Sequence, residues 1–169
     1  LFSVKNVAAE LDSLIHNELM VRKQIGLMSN QFKTQVQEWK NVLIRGNDPK
    51  QYEKYWQRYE SNEQEIQENV SNLLKSTNLH ATIAQKLSIF QTEHQSLGAL
   101  YRNGLKQYDA SQFNTQVGDA AVKGIDRASA ALLHDIKHSI TKLVDQRSKD
   151  LTTKKEQVLI QSFVIMLIL

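Results

Sequence analysis

No cysteine occurs in the 169 residues, so disulfides, thiolate metal sites and cysteine nucleophiles are excluded together. The same absence leaves the compartment open, because a large helical domain outside the cytoplasm needs no disulfide. One proline and six glycines are too few for turn-rich β architecture. There is no phosphate-cradling glycine loop, no nucleophile motif and no clustered pair of acids of the glycosidase kind. No catalytic residue is therefore assigned, no cofactor is expected, and the chain does not read as an enzyme. Charge of one sign is lacking too. The net charge is +3, and the basic residues are dispersed rather than gathered on one face, which argues against a nucleic-acid partner.

What remains is a chain dominated by Gln, Asn, Lys, Leu, Ala and Ile, a mixture that favours long helices. A first helix is predicted from Leu11, Leu14, Val21, Ile25, Met28, Phe32, Val36, Trp39 and Leu43, whose spacing alternates steps of three, four and seven. It stops at Gly46-Asn47-Asp48-Pro49, which offers a C′ glycine, an N-cap aspartate and an N1 proline in order. The second helix carries Tyr52, Trp56, Tyr59, Glu63, Ile66, Val70, Leu73 and Leu74. Ser76-Thr77-Asn78 breaks it from a third, with Ile83, Leu87, Phe90, His94, Leu97, Tyr101, Leu105 and Tyr108. A single helix across this weak break would run about 90 Å, beyond what either flanking helix could cover. After the polar stretch Asp109–Asp119, a fourth helix starts near Phe113 and Val117. It continues through Ile125, Ala128, Leu132, Ile136, Ile140, Leu143 and Leu151. The predicted fold is all-α: an elongated antiparallel up-down-up-down four-helix bundle with two long and two short helices.

From Val158 to Leu169 the run VLIQSFVIMLIL carries no charge. Twelve residues of helix cover about 18 Å, where a membrane span needs about 20 residues, so the run reads as the first half of a transmembrane helix. A buried helix end is the competing reading. The expected domains are residues 1–157, an extracytoplasmic bundle, and residues 158–169, the start of a span. A chain opening at Leu1 reads as a fragment or a processed product.

Chemistry concentrates in the half away from that tail. The rings of Trp39, Tyr52, Trp56 and Tyr59 are expected level with Gly98, Ala99, Gly104, Ala120, Ala121, Gly124, Ala128 and Ala131. Large against small is ordinary packing, and the alternative is a cavity for a ligand. Arg45, Arg58, Arg102, Lys123 and Arg127 are expected at this level and would suit a small carboxylate, since arginine holds one with two parallel bonds. The candidate ligand-binding residues are Trp39, Asn41, Arg45, Tyr101, Arg102 and Arg127. His134 and His138 stand one turn apart on an outward face without an evident third ligand, so no metal site is assigned. His94 falls in the core stripe, where a hydrogen-bonded buried histidine is the default. Met20 and Leu27 form a second stripe on the first helix, continued by Thr34, Glu38, Asn41 and Arg45. A two-fold homodimer through that helix is the simplest partner arrangement.

The segment from Phe32 to Gly46, FKTQVQEWKNVLIRG, with Asp48-Pro49 and Tyr55-Trp56, closely resembles sensor domains of bacterial methyl-accepting chemotaxis proteins. Val122-Lys123-Gly124-Ile125-Asp126-Arg127 resembles the Gly-Ile-Asp-Arg element found early in their last sensor helix, with Ser129 where a proline often stands. The resemblance covers nearly the whole chain. It implies a dimeric periplasmic four-helix bundle between two membrane spans in the cell membrane, followed by a HAMP relay and a cytoplasmic hairpin. It also implies a small-molecule ligand, an organic acid or amino acid, held by arginines in the membrane-distal half. Arg45 and Arg127 lie within the matched segments. The rival readings are a histidine-kinase sensor of the same architecture, a tail-anchored structural bundle, and a bundle that answers to a partner protein.

Overall fold

A computed structural model describes the backbone of residues 2–168, and the side chains of residue 9 and of residues 12–161, 163 and 164. These residues form five helices and no strand: α1 (Phe2–Arg45), α2 (Pro49–Leu74), α3 (Ala81–Ala110), α4 (Thr115–Ala121) and α5 (Arg127–Ile168). The difference from the four predicted helices lies after Ala121. Residues 122–126 form turns, and Gly124 has a φ of +78°, a left-handed conformation open to glycine at little cost. The expected last helix is therefore broken, and α5 opens at Arg127.

The first turn forms as its residues dictate. Asp48 caps α2 by accepting hydrogen bonds from the backbone N–H of Lys50 (2.8 Å) and Gln51 (3.3 Å), with Pro49 in the first turn. Gly46 serves close approach rather than chain reversal. It is buried, and a Cβ there would lie 3.0 Å from the Tyr108 hydroxyl. That hydroxyl donates to the carbonyls of Val42 (3.3 Å) and Leu43 (3.1 Å), while Thr115 Oγ1 donates to Leu43 as well (3.0 Å). The last carbonyls of α1 are thus capped by side chains from α3 and α4. At the α2–α3 connection the N-cap is His80, whose Nδ1 accepts from Thr82 N–H at 3.3 Å; Ser76, Thr77 and Asn78 make the turn before it.

Cross-helix bonds give the packing. Arg45 meets Tyr55, Gln31 meets Glu65 and Asn69, and Asn17 meets the backbone of Asn78, so α1 and α2 run antiparallel. Gln91 to Ser71 and Arg102 to Glu63 tie α2 to α3, Lys86 to Ser139 ties α3 to α5, and Arg147 to Glu18 ties α5 to α1. The α2–α3 turn reaches only the level of Asn17. Beyond it α1 and α5 continue as a pair, joined by Lys155 and Asp12 at 3.6 Å. The 44-residue α1 and 42-residue α5 are the long helices; α2 and α3 have 26 and 30 residues.

The predicted stripes on α1 and α3 form the core. Ile25, Met28, Phe32, Trp39 and Leu43 meet Ile83, Leu87, Phe90, Leu97, Tyr101 and Tyr108, while Leu14 and Val36 are half-buried. Leu11 of that stripe lies outside the described side chains. On α5 the buried set is Ser129, Leu133, Ile136, Ile140, Val144 and Leu151; Leu132 and Leu143 are half-buried and Ala128 is exposed. A single phase carried through Gly124 put the first of these one position off, because the break resets the helix. Residues 158–168 continue α5, with Leu159, Ile160, Phe163 and Val164 exposed. Among the described residues no helix is long and apolar enough to cross a membrane. Leu169 and the side chains of 162 and 165–168, all within the proposed span, lie outside the described residues.

Candidate functional site

The six sequence candidates fall in four places. Trp39 and Tyr101 are buried in the core, ring centroids 5.2 Å apart, with Tyr59 the same distance from Tyr101. A Cβ at Gly104 would meet Val122 and, at 3.5 Å, the Trp39 ring, so glycine lets the indole lie against α3. The large-against-small pairing is realised there as packing. Ala99, Ala120, Ala128 and Ala131 are instead exposed. Gln35 Nε2, Trp39 Nε1 and the Tyr59 hydroxyl are buried without a hydrogen bond from the chain. The neighbouring Gln35 side chain acts on the Tyr59 hydroxyl in the opposite sense to burial, as a lesser influence. Burial pushes the Tyr59 and Tyr101 hydroxyls well above the ordinary tyrosine range, so both stay protonated donors.

One level down lies a second buried polar group. His94 is fully buried, with Nε2 2.8 Å from Gln35 Oε1 and Nδ1 2.6 Å from Gln67 Nε2. The Gln67 amide donates and the Gln35 carbonyl accepts, so the ring is neutral with its proton on Nε2. Burial lowers its pKa to about 4. The expectation of a satisfied core histidine holds, and the network joins α1, α2 and α3.

Arg102 lies on the outer side of α2 and α3. Its guanidinium donates two bonds to the Glu63 carboxylate, one of 3.0 Å, lies 3.7 Å from Glu60, and sits over the Trp56 ring at 5.9 Å. Those bonds to Glu63, ahead of any other influence, raise its pKa. Gly98 makes room for the Glu63 carboxylate, which a Cβ would strike. With two acids beside it, this guanidinium adds no positive charge to its surroundings.

Asn41 and Arg45 lie together on α1, facing the start of α2. Arg45 donates to the Tyr55 hydroxyl and sits 5.3 Å from that ring's centroid. Lys54 Nζ is 5.2 Å and Arg58 Cζ 5.8 Å from the same centroid. Asn41 Nδ2 donates to Glu38 at 2.9 Å, and Glu38 pairs with Arg58 at 3.8 Å. Among the described residues, neither Arg45 nor Lys54 has a carboxylate within ion-pair distance, so this face is positive overall. Tyr55, only 5% exposed, organises it and lies outside the predicted stripe of the second helix. The signal was present, since Tyr55 stands three residues from Tyr52 and four from Tyr59.

Arg127 opens α5, exposed and apart from the others, with its guanidinium stem against Gly124; Lys123 in the preceding turn is exposed too. His134 and His138 are exposed on α5, and among the described residues no group of three His, Asp or Glu could hold a metal.

Over 137 residues, 81% of its length, the chain is 28% identical to methyl-accepting chemotaxis protein CtpH of Pseudomonas aeruginosa. The match spans 24% of that relative, so the chain covers about a quarter of the protein it resembles. No family model matches the sequence, and no solved structure matches the fold.

Proposed function

We propose that the chain is the signal-input domain of a bacterial chemoreceptor. In this reading it senses a small anionic molecule, an organic acid or amino acid, on the periplasmic side of the cell membrane. It relays that signal through displacement of its long helices. The observation that carries the ligand class is the positive face of Arg45, Lys54 and Arg58 around Tyr55, with Asn41 beside it. Two arginines in reach of one spot can each offer a carboxylate a pair of parallel hydrogen bonds. In this reading α4 and α5 together act as one broken fourth helix. The antiparallel contacts then support an up-down-up-down bundle, with Trp39 and Tyr101 as the packed support behind the site.

The domain pairs with a second copy along α1, where Met20 (45%) and Leu27 (56%) are exposed. The charge-free tail leads α5 into the membrane. A ligand can shift the packing only as far as it binds one arrangement better than the other. The chemotaxis relative favours a chemoreceptor over a kinase sensor.

Thermal unfolding of the chain against a panel of organic acids, amino acids and aromatic acids tests the reading. One class is expected to raise the melting temperature by linkage. Arg45→Gln and Arg58→Gln should each weaken that ligand about tenfold. A panel without any response would defeat the small-molecule reading and favour a protein partner.

A further inference from the structure

We propose a second anion site, in the cleft between α1 and α5, that takes a short alkyl carboxylate. A cavity of about 120 Å³ lies there, with Phe32, Leu133 and Ala130 as apolar walls and Lys33, His134 and Lys137 around it. Its volume is far below the ~300–1,000 Å³ of sites for drug-sized ligands, so its occupant is small.

The walls are fixed. Phe32 and Leu133 are 3% and 2% exposed, and the Phe32 ring stands edge-on to Phe90 and His94. The rim has the opposite character. Among the described residues neither Lys33 nor Lys137 has a carboxylate within ion-pair distance, and no acid lines the cavity. Asp135, next to His134 on α5 and within reach of its charge, is engaged 2.7 Å from Lys86 of α3. Two ammonium groups and an imidazole above an apolar floor match a ligand that is anionic at one end and apolar at the other. A free inorganic oxyanion would satisfy the rim and leave the walls unused, whereas a propionate-sized carboxylate satisfies both.

The lysines come from different helices, so a carboxylate held between them bridges α1 and α5, the two long helices. This site is separate from the face around Tyr55 and does not rest on the chemotaxis reading.

The test is titration of the chain with sodium propionate, followed by calorimetry and by the imidazole signals of His134 in NMR. Binding in about the millimolar range is expected, with the His134 signals moving along the same isotherm. Lys33→Gln and Lys137→Gln should each weaken binding about tenfold. Propionamide and inorganic phosphate should bind at least about tenfold more weakly, and Arg45→Gln should leave propionate binding unchanged. The proposal is overturned if propionate does not bind, if the lysine variants bind it like the parent, or if phosphate competes equally well. Loss of propionate binding in Arg45→Gln but not in the lysine variants would count against this cleft while leaving the Tyr55 face standing.

Discussion

At the scale of single residues, His94 answers to pH although it is fully buried. Its ordinary pKa is near 6.5 and burial lowers it to about 4, so the unfolded chain takes up the proton first as the medium is acidified. Stability contributed by the neutral ring is complete above pH 6.5 and drains away between 6.5 and 4, by about 3 kcal/mol. Urea unfolding across that range should show the loss in the parent and a flatter profile in His94→Gln, the difference isolating this group from other titrating residues. A second residue, Gly104, is set by shape. Gly104→Ala would drive a methyl into Val122 and toward the Trp39 ring, at a cost of about 1–3 kcal/mol. Val122→Ala in the same chain should recover part of it, and if it does not, close approach is not why glycine stands there.

Between elements, polar ties set how the helices are held. Glu18 of α1 is buried, with one oxygen 2.9 Å from Arg147 of α5 and the other without a hydrogen bond; burial, more than any neighbour, raises its pKa. Arg147→Ala strands that carboxylate and should cost about 2–3 kcal/mol, toward the low end for a buried pair because the arginine is partly exposed. Unfolding of Arg147→Ala beside Glu18→Gln/Arg147→Ala separates the stranded charge from lost packing: the double variant should be the more stable of the two.

The element boundaries also show what a sequence carries. Asp48-Pro49 and the apolar spacing of α1 and α3 are local signals, and local physics realises them. The cap on α1 by Tyr108 and Thr115 joins residues more than sixty apart, and no spacing rule reveals such a partner. The split of α4 from α5 turns on Gly124, a residue that a helix tolerates at modest cost and so marks weakly. The candidate site was legible in part: Arg45 stands with Lys54 and Arg58 around Tyr55, with Asn41 beside them, but the glutamates that engage Arg102 were invisible as its partners.

For the whole molecule, the expected homodimer makes a direct prediction. Leu27→Glu places a charge in the exposed α1 stripe and should abolish dimerisation seen by sedimentation, with the fold retained by circular dichroism. A parent chain that stays monomeric at about millimolar concentration would remove the dimer from the proposed function. The side-chain cap at the end of α1 has a mechanical meaning. Hydrogen bonds from two other helices pin that end, whereas α5 starts from a five-residue turn with a glycine in it. If the chain relays a signal as proposed, relative sliding of the two rods falls to α5, whose start is held by local backbone turns rather than by caps from other helices. Such a displacement would be carried along about 63 Å of continuous helix.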